Sequence, residues 1–349
     1  MKKFFIKLSY TVIPVWILLV GMAVYLWVSN DNSGDLMRLG LIDGDSSYTD
    51  SIREIDALPK VYYKNQDNDS LLRIDSCDVV VIGDSFSHGG GVGKQGDYVN
   101  HLAHETGQRV VVFAPNNIVG SPIQVAYDVL KLGVIDSSNS KNLIVEEVER
   151  YLISRHRSFA DDHTSLPRPK KQEELVQETK NEKKRKDFSP LLRVKDYLFY
   201  HLFGANPIYK VQLSRQLFTS NEPDILYFYS DDVKSDYDAI FDNRQSVVDS
   251  YKAVIDLAKE RGVNLVILIA CDKYDMYQDF ILDNPYPAKT LNEDIAKWMA
   301  PELDRFVIAK QVLHPLLEQG VKDVYLFNDT HWSPASSRLI AAEVAKKLK

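Results

Sequence analysis

Residues 78–87 read Asp78-Val-Val-Val-Ile-Gly-Asp-Ser-Phe-Ser87, and this stretch decides the fold. Four consecutive β-branched residues closed by Gly-Asp-Ser predict a short strand, buried on both faces, that feeds a loop. Strands of that kind belong to parallel sheets covered by helices on each side. The same unit recurs outward from it. Arg109 to Phe113, Asn142 to Val145, Val263 to Ala270 and Asp323 to Phe327 are further apolar runs. Helical patterns lie between them: Tyr98 to Thr106, Pro122 to Leu132, Arg244 to Arg261, about Leu291 to Leu317, and a closing helix from Pro334 to Leu348. Ser121 and Ser333 stand as their N-caps where Pro122 and Pro334 open a helix. Strands alternating with helices predict an α/β fold with a doubly wound, mostly parallel five-stranded sheet.

In such sheets ligands sit at the carboxyl ends of the strands. The first strand ends in Gly83-Asp84-Ser85-Phe86-Ser87 and the expected fifth in Asn328-Asp329-Thr330-His331-Trp332. A serine hydroxyl is a poor nucleophile until a neighbouring base takes its proton, and that base needs a third group to orient it. Ser85, His331 and Asp329 supply one of each. Gly-Asp-Ser and Asp-x-His are each common in ordinary turns, and their joint placement at two strand ends is what points to chemistry. Ser87-His-Gly-Gly-Gly-Val-Gly93-Lys94 is not a phosphate loop, because His88 stands at the glycine position and Gln95 follows the lysine. It reads instead as a close-approach loop beside Ser85. His101 and His104 share a helix without a carboxylate of metal-site type, so no metal is expected.

The chain has 349 residues, a net charge of −7 and 45% hydrophobic residues, enough for a sizeable core. A pI near 5.7 argues against nucleic acid as a partner, and a mean hydropathy of −0.24 excludes a polytopic membrane protein. Thr11 to Val28 runs for 18 residues without a charge. With Lys2, Lys3 and Lys7 before it and Asp31 and Asp35 after it, the segment reads as a transmembrane anchor with a cytoplasmic N-terminus. A cleaved signal peptide would need a shorter apolar region and a small-x-small site; Ser29-Asn-Asp-Asn-Ser-Gly34 lacks a clear one. The expected organisation is an anchor over 1–30, a tether over 31–75 and one domain over 76–349. That domain carries a largely helical insertion at about 152–242, whose charged stretch Arg168 to Asp187 reads as a solvated segment.

Four stretches carry a family resemblance: Gly83-Asp-Ser-Phe-Ser87, Val145-Glu-Glu-Val-Glu-Arg150, Asp272-Lys273-Tyr274 and Asp329-Thr-His-Trp332. Together they resemble the SGNH (GDSL-like) hydrolase superfamily and, more narrowly, the SGNH-like domains of alginate O-acetyltransferases. Asp-x-His-Trp is the most specific piece, since ordinary members have Asp-x-x-His. Two departures stand out. In the alginate enzymes the Asp-x-His-Trp block precedes the serine block, whereas here it follows. The usual Gly-x-Asn-Asp block is missing, with Glu149 and Arg150 near its place.

The resemblance implies a flavodoxin-like SGNH fold and an acyl-Ser85 route with His331 as base and Asp329 as its orienting partner. It implies oxyanion donors at the Ser85 and Gly120 backbone N–H groups, with Asn117 or Arg150 as a third. Lys273, Tyr274 and Trp332 are the expected substrate contacts, and no cofactor is expected. The function implied is a membrane-anchored, extracytoplasmic (periplasmic) O-acetyltransferase of an envelope glycan or exopolysaccharide, fed by a membrane-bound acyl donor protein. An acetylesterase is the alternative. A non-catalytic glycan-binding or assembly scaffold becomes attractive if His331 lies more than about 6 Å from Ser85, beyond any hydrogen bond.

Two cysteines cannot staple a chain this long. Cys77 precedes the first strand and Cys271 follows the fourth, so a parallel sheet holds them at opposite ends as free thiols, well beyond bridging distance.

Overall fold

A computed structural model describes residues 2–29, 34–36, 52, 58, 63–65, 77–92, 96–113, 121–136, 140–160, 207–234 and 238–348. Most of the expected tether, the charged stretch 168–187, Asn117 and Gly120 lie outside these residues.

The elements in chain order are α1 (Lys2–Ser29), β1 (Tyr63–Asn65), β2 (Val79–Ile82), α2 (Tyr98–Thr106), β3 (Val110–Phe113), α3 (Pro122–Lys131), β4 (Asn142–Val148) and α4 (Glu149–Arg157). They continue with β5 (Ile208–Gln212), β6 (Ile225–Tyr229), α5 (Asp238–Glu260), β7 (Asn264–Ala270), α6 (Lys273–Tyr277), α7 (Leu291–Trp298), β8 (Phe306–Ile308), α8 (Ala309–Glu318) and α9 (Pro334–Ala345). The main sheet has the order β1-β3-β2-β4-β7-β8, and every pair in it is parallel. Without the three-residue edge strand β1 this is the flavodoxin-like order, in which the chain reverses its winding between β2 and β4. A ligand crevice is expected there, and Ser85 follows β2.

Alternation along the strands divides the core. Val79, Val81, Ile144, Val266 and Leu268 pack on one face with α2, α8 and α9. Val80, Ile82, Leu143, Val145, Leu265 and Ile267 pack on the other with α3, α5 and α7. The helix starts follow local chemistry: Ser121 accepts from Gln124 N at 3.2 Å, and Ser333 accepts from Ser336 N at the head of α9.

Three expectations are corrected. The fifth strand is Phe306–Ile308, inside the stretch assigned to helix. Asp323 to Phe327 does not join the sheet; Tyr325 makes an isolated antiparallel bridge with Trp332 instead. The described part of the insertion is not largely helical, because β5 and β6 form an antiparallel hairpin whose Ile208, Leu226 and Phe228 enter the core.

The N-terminal segment forms one 28-residue helix. Among the described residues no helix is long and apolar enough to cross a membrane; the side chains at 25–29, where the Thr11–Val28 run ends, lie outside them.

Candidate active site

After β2 the chain turns sharply: Ser87 N donates to Asp84 O at 3.1 Å, and Gly90 N donates to Ser85 O at 2.8 Å. Phe86 and Ser87 point into the protein while Ser85 is exposed. Glu146, one strand over on β4, lies under the turn. Its Oε2 accepts from Asp84 N and from Ser87 Oγ, each at 2.9 Å. Burial, reinforced by Asp84, raises the Glu146 carboxyl well above its ordinary range, which favours the neutral acid. Its neighbour Glu147 faces the opposite side of the sheet, where it meets His156 and Tyr251 at 3.0 Å each.

The partner groups come from the loop between α8 and α9. Leu326 N donates to His331 O at 3.0 Å and Ser333 N to Val324 O at 3.0 Å, closing a hairpin-like loop that carries Asp329 and His331. His331 Nε2 lies 2.7 Å from Ser85 Oγ, and its Nδ1 lies 2.5 Å from Asp329 Oδ1. The first distance falls within the range that a serine and its general base require. His331 and Asp329 are buried at 5% and 2% exposure, so water screens their pairing little. Burial opposes the charged imidazole, but the Asp329 carboxylate outweighs it and His331 is raised above its ordinary value. Burial likewise opposes the Asp329 anion; His331 and hydrogen bonds from Asp35 reverse this and hold it far below the usual range.

The glycine run approaches this pair closely. A Cβ on Gly90 would sit 2.4 Å from His331 Nε2, so any side chain there displaces the imidazole.

Other expected site residues are placed differently. Lys273 is fully buried and donates to the carbonyls of Leu326, Phe327 and Asp329 at 2.6, 2.8 and 3.1 Å. Burial pulls its ammonium down to about 7, while three carbonyl acceptors match the three N–H bonds of the charged form. Tyr274 is also fully buried, with its hydroxyl on Pro287 O. Trp332 is 1% exposed and packs against Phe86 at 4.3 Å between ring centroids. Lys273 and Trp332 support the loop from within, Tyr274 packs against Phe228 and Tyr286, and none of the three offers a face to a substrate. Arg150 reaches the same edge, but its Nε is held by Asp272 at 2.7 Å and Asp232 at 3.3 Å.

One neighbour of the Asp329–His331 pair was missed. Asp35, within the expected tether, accepts from Thr330 N at 2.8 Å and from Thr330 Oγ1 at 2.6 Å. No motif surrounds it, so only the folded chain reveals the contact. Among the described residues two acidic groups come within metal-binding reach, Asp35–Asp329–His331 and Glu149–Cys271–Asp275. Both are already engaged: His331 holds Asp329, and Lys289 and Lys310 hold Glu149 and Asp275.

Residues 221–349 match the family model described as the SGNH hydrolase-like domain of acetyltransferase AlgX, in agreement with the resemblance carried by the Asp-x-His-Trp block. The match supports an acetyltransferase or SGNH-type function in general. It contains Asp329 and His331 but not Ser85, so the pairing of Ser85 with His331 rests on geometry alone. No curated protein and no solved structure matches the chain.

Proposed function

From that match and this geometry we propose that the chain is a membrane-anchored, extracytoplasmic O-acetyltransferase acting on a cell-envelope glycan or exopolysaccharide. The observation that carries the proposal is the continuous relay Ser85 Oγ–His331–Asp329, at 2.7 and 2.5 Å. His331 Nε2 takes the hydroxyl proton as Ser85 Oγ attacks the acetyl carbonyl of the donor. The tetrahedral intermediate collapses, the leaving group takes the proton back from His331, and an acetyl ester remains on Ser85. A sugar hydroxyl then gives its proton to His331 and attacks that ester; the bond from Ser85 Oγ to the acetyl carbon breaks, Ser85 Oγ takes the proton back from His331, and the sugar leaves acetylated. The Ser85 backbone N–H is the proposed oxyanion donor, with Gly120 and Asn117 as its proposed companions. Removing one such donor typically costs ~10²–10³ in turnover.

The anchor reading draws on α1. Its 28 residues span ~42 Å at ~1.5 Å each, more than the ~30 Å of a hydrocarbon core. Its described apolar side chains, Trp16, Ile17 and Leu18 among them, are two-thirds exposed. The lysines before it favour a cytoplasmic N-terminus, and an acyl donor protein in the same membrane is the proposed partner.

The test is incubation of the full chain in detergent with an activated acetyl ester, with and without oligosaccharide. Acetylated sugar is the expected product. Free acetate alone would identify an acetylesterase, and no turnover that Ser85→Ala abolishes would overturn both.

A further inference from the structure

Three residues between α1 and the domain are docked against the Asp329–His331 loop. Leu36 is fully buried in the core. Gly34 adopts φ +79°, and a Cβ there would lie 2.3 Å from Asn328 O, so the chain passes where only glycine fits. Between them, Asp35 makes contacts of two kinds. Its backbone N–H donates to Asp329 Oδ2 at 3.1 Å, the oxygen that His331 leaves unused. Its carboxylate takes both Thr330 donors and stands 3.8 Å from His331 Nδ1.

We propose that Asp35 is a positioning residue for the Asp329–His331 pair, so that the segment beside the N-terminal helix completes the site. The proposal rests on the Ser85–His331 reading above. The backbone contact fixes the rotation of the Asp329 carboxylate, because both its oxygens are then engaged: Oδ1 by His331 and Oδ2 by Asp35. The Asp35 side chain adds a second anion beside the imidazolium that forms when His331 takes the Ser85 proton. The charged groups facing Asp35 are Asp329 and His331, with Lys273 felt through the loop. Burial, followed by repulsion from Asp329, raises Asp35 to about 6. The charged His331 ring pulls the other way and favours the Asp35 carboxylate.

The arrangement also limits distance. Asp35 follows Ser29, the last residue of α1, by six positions, so the two Cα atoms are at most about 22 Å apart at ~3.6 Å per residue. With α1 in the bilayer, the docked segment holds the site beside the membrane surface, within reach of a donor delivered there.

The experiment follows the His331 ring by NMR across pH in the full chain in detergent, its resonance identified by its loss in His331→Gln. Asp35→Asn is expected to lower the imidazole titration by about half a unit or more, since a nearby anion favours the charged ring. The acid limb of turnover should move down with it, and kcat should fall roughly tenfold with KM for the ester unchanged. Gly34→Ala, which lifts the segment without altering the carboxylate, is expected to shift the ring in the same direction. An unmoved titration in Asp35→Asn would overturn the proposal whatever the activity; should that variant not fold, an unmoved titration in Gly34→Ala overturns it. The ring titration requires no turnover. A protein inert toward acyl esters would therefore sink the proposed function and leave this inference standing.

Discussion

His331 can act as a base only when neutral, yet its surroundings favour its charged form. Because Asp329 overcomes burial and raises the imidazole, turnover should climb with pH through a midpoint above the ordinary imidazole value of about 6.5. A pH–rate profile with the acid limb at or below that value would contradict the assigned relay. Asp329→Asn keeps the shape but reverses the orienting hydrogen bond, and a drop of about 10⁴ in kcat is expected. Gly90→Ala brings a methyl carbon to 2.4 Å from His331 Nε2. It should lower turnover and the thermal midpoint together, since the displaced ring is buried against Phe86 and the same carbon meets the Ser85 carbonyl at 2.8 Å. That Ser85, His331 and Asp329 meet was legible in the sequence, because the residue types suit one another and their neighbours mark turns. Lys273, Tyr274 and Trp332 were misread for the opposite reason. Position near the active edge suggested contact with a substrate, whereas side-chain direction, which no motif records, sends all three inward.

The loop 324–333 is held from below by a single ammonium. Lys273, at the start of α6, meets three of its carbonyls. Lys273→Met removes their donors without replacing them, and buried unpaired carbonyls are costly. A loss of about 2–4 kcal/mol is expected by denaturant unfolding, together with reduced turnover as Asp329 loses its support. An unchanged unfolding midpoint would show that the loop is held by other means. The elements themselves were read unevenly. The strands before Ser85 and before Cys271 have long β-branched or aliphatic runs, and both were plain. Phe306–Ile308 is three residues long between helical patterns, too short to carry periodicity. Val324 to Phe327 has the composition of a buried strand, but Tyr325 N is taken by Tyr277 OH at 3.1 Å and Tyr325 OH donates to Cys271 O at 2.6 Å. Its polar groups are satisfied without a ladder. The inference that His331 reaches Ser85 thus held although the strand invoked for it does not exist.

Across the molecule, Cys77 precedes β2 and Cys271 follows β7, and both thiols are buried and unpaired. Burial raises both pKa values and suppresses the reactive thiolate. Thiol titration of the protein purified without reductant should therefore find two groups after unfolding and essentially none before; a blocked pair would contradict the parallel strand order. The proposed membrane geometry has its own test. A flexible ten-residue insertion after Ser29 leaves Gly34 to Leu36 free to dock but lengthens the path to α1. Turnover of a soluble acetyl ester should be unchanged, while transfer from a membrane-bound donor should fall.

By itself the sequence determined the doubly wound parallel sheet and singled out Ser85, Asp329 and His331 as candidates, because β-branched runs, helix caps and turn glycines act locally and leave a local record. Only the tertiary structure decided that a loop presents His331, that Lys273 supports that loop, and that Asp35 joins the pair from 294 residues away. Those contacts depend on which distant groups folding brings within hydrogen-bond reach, and no pattern along one chain encodes that distance.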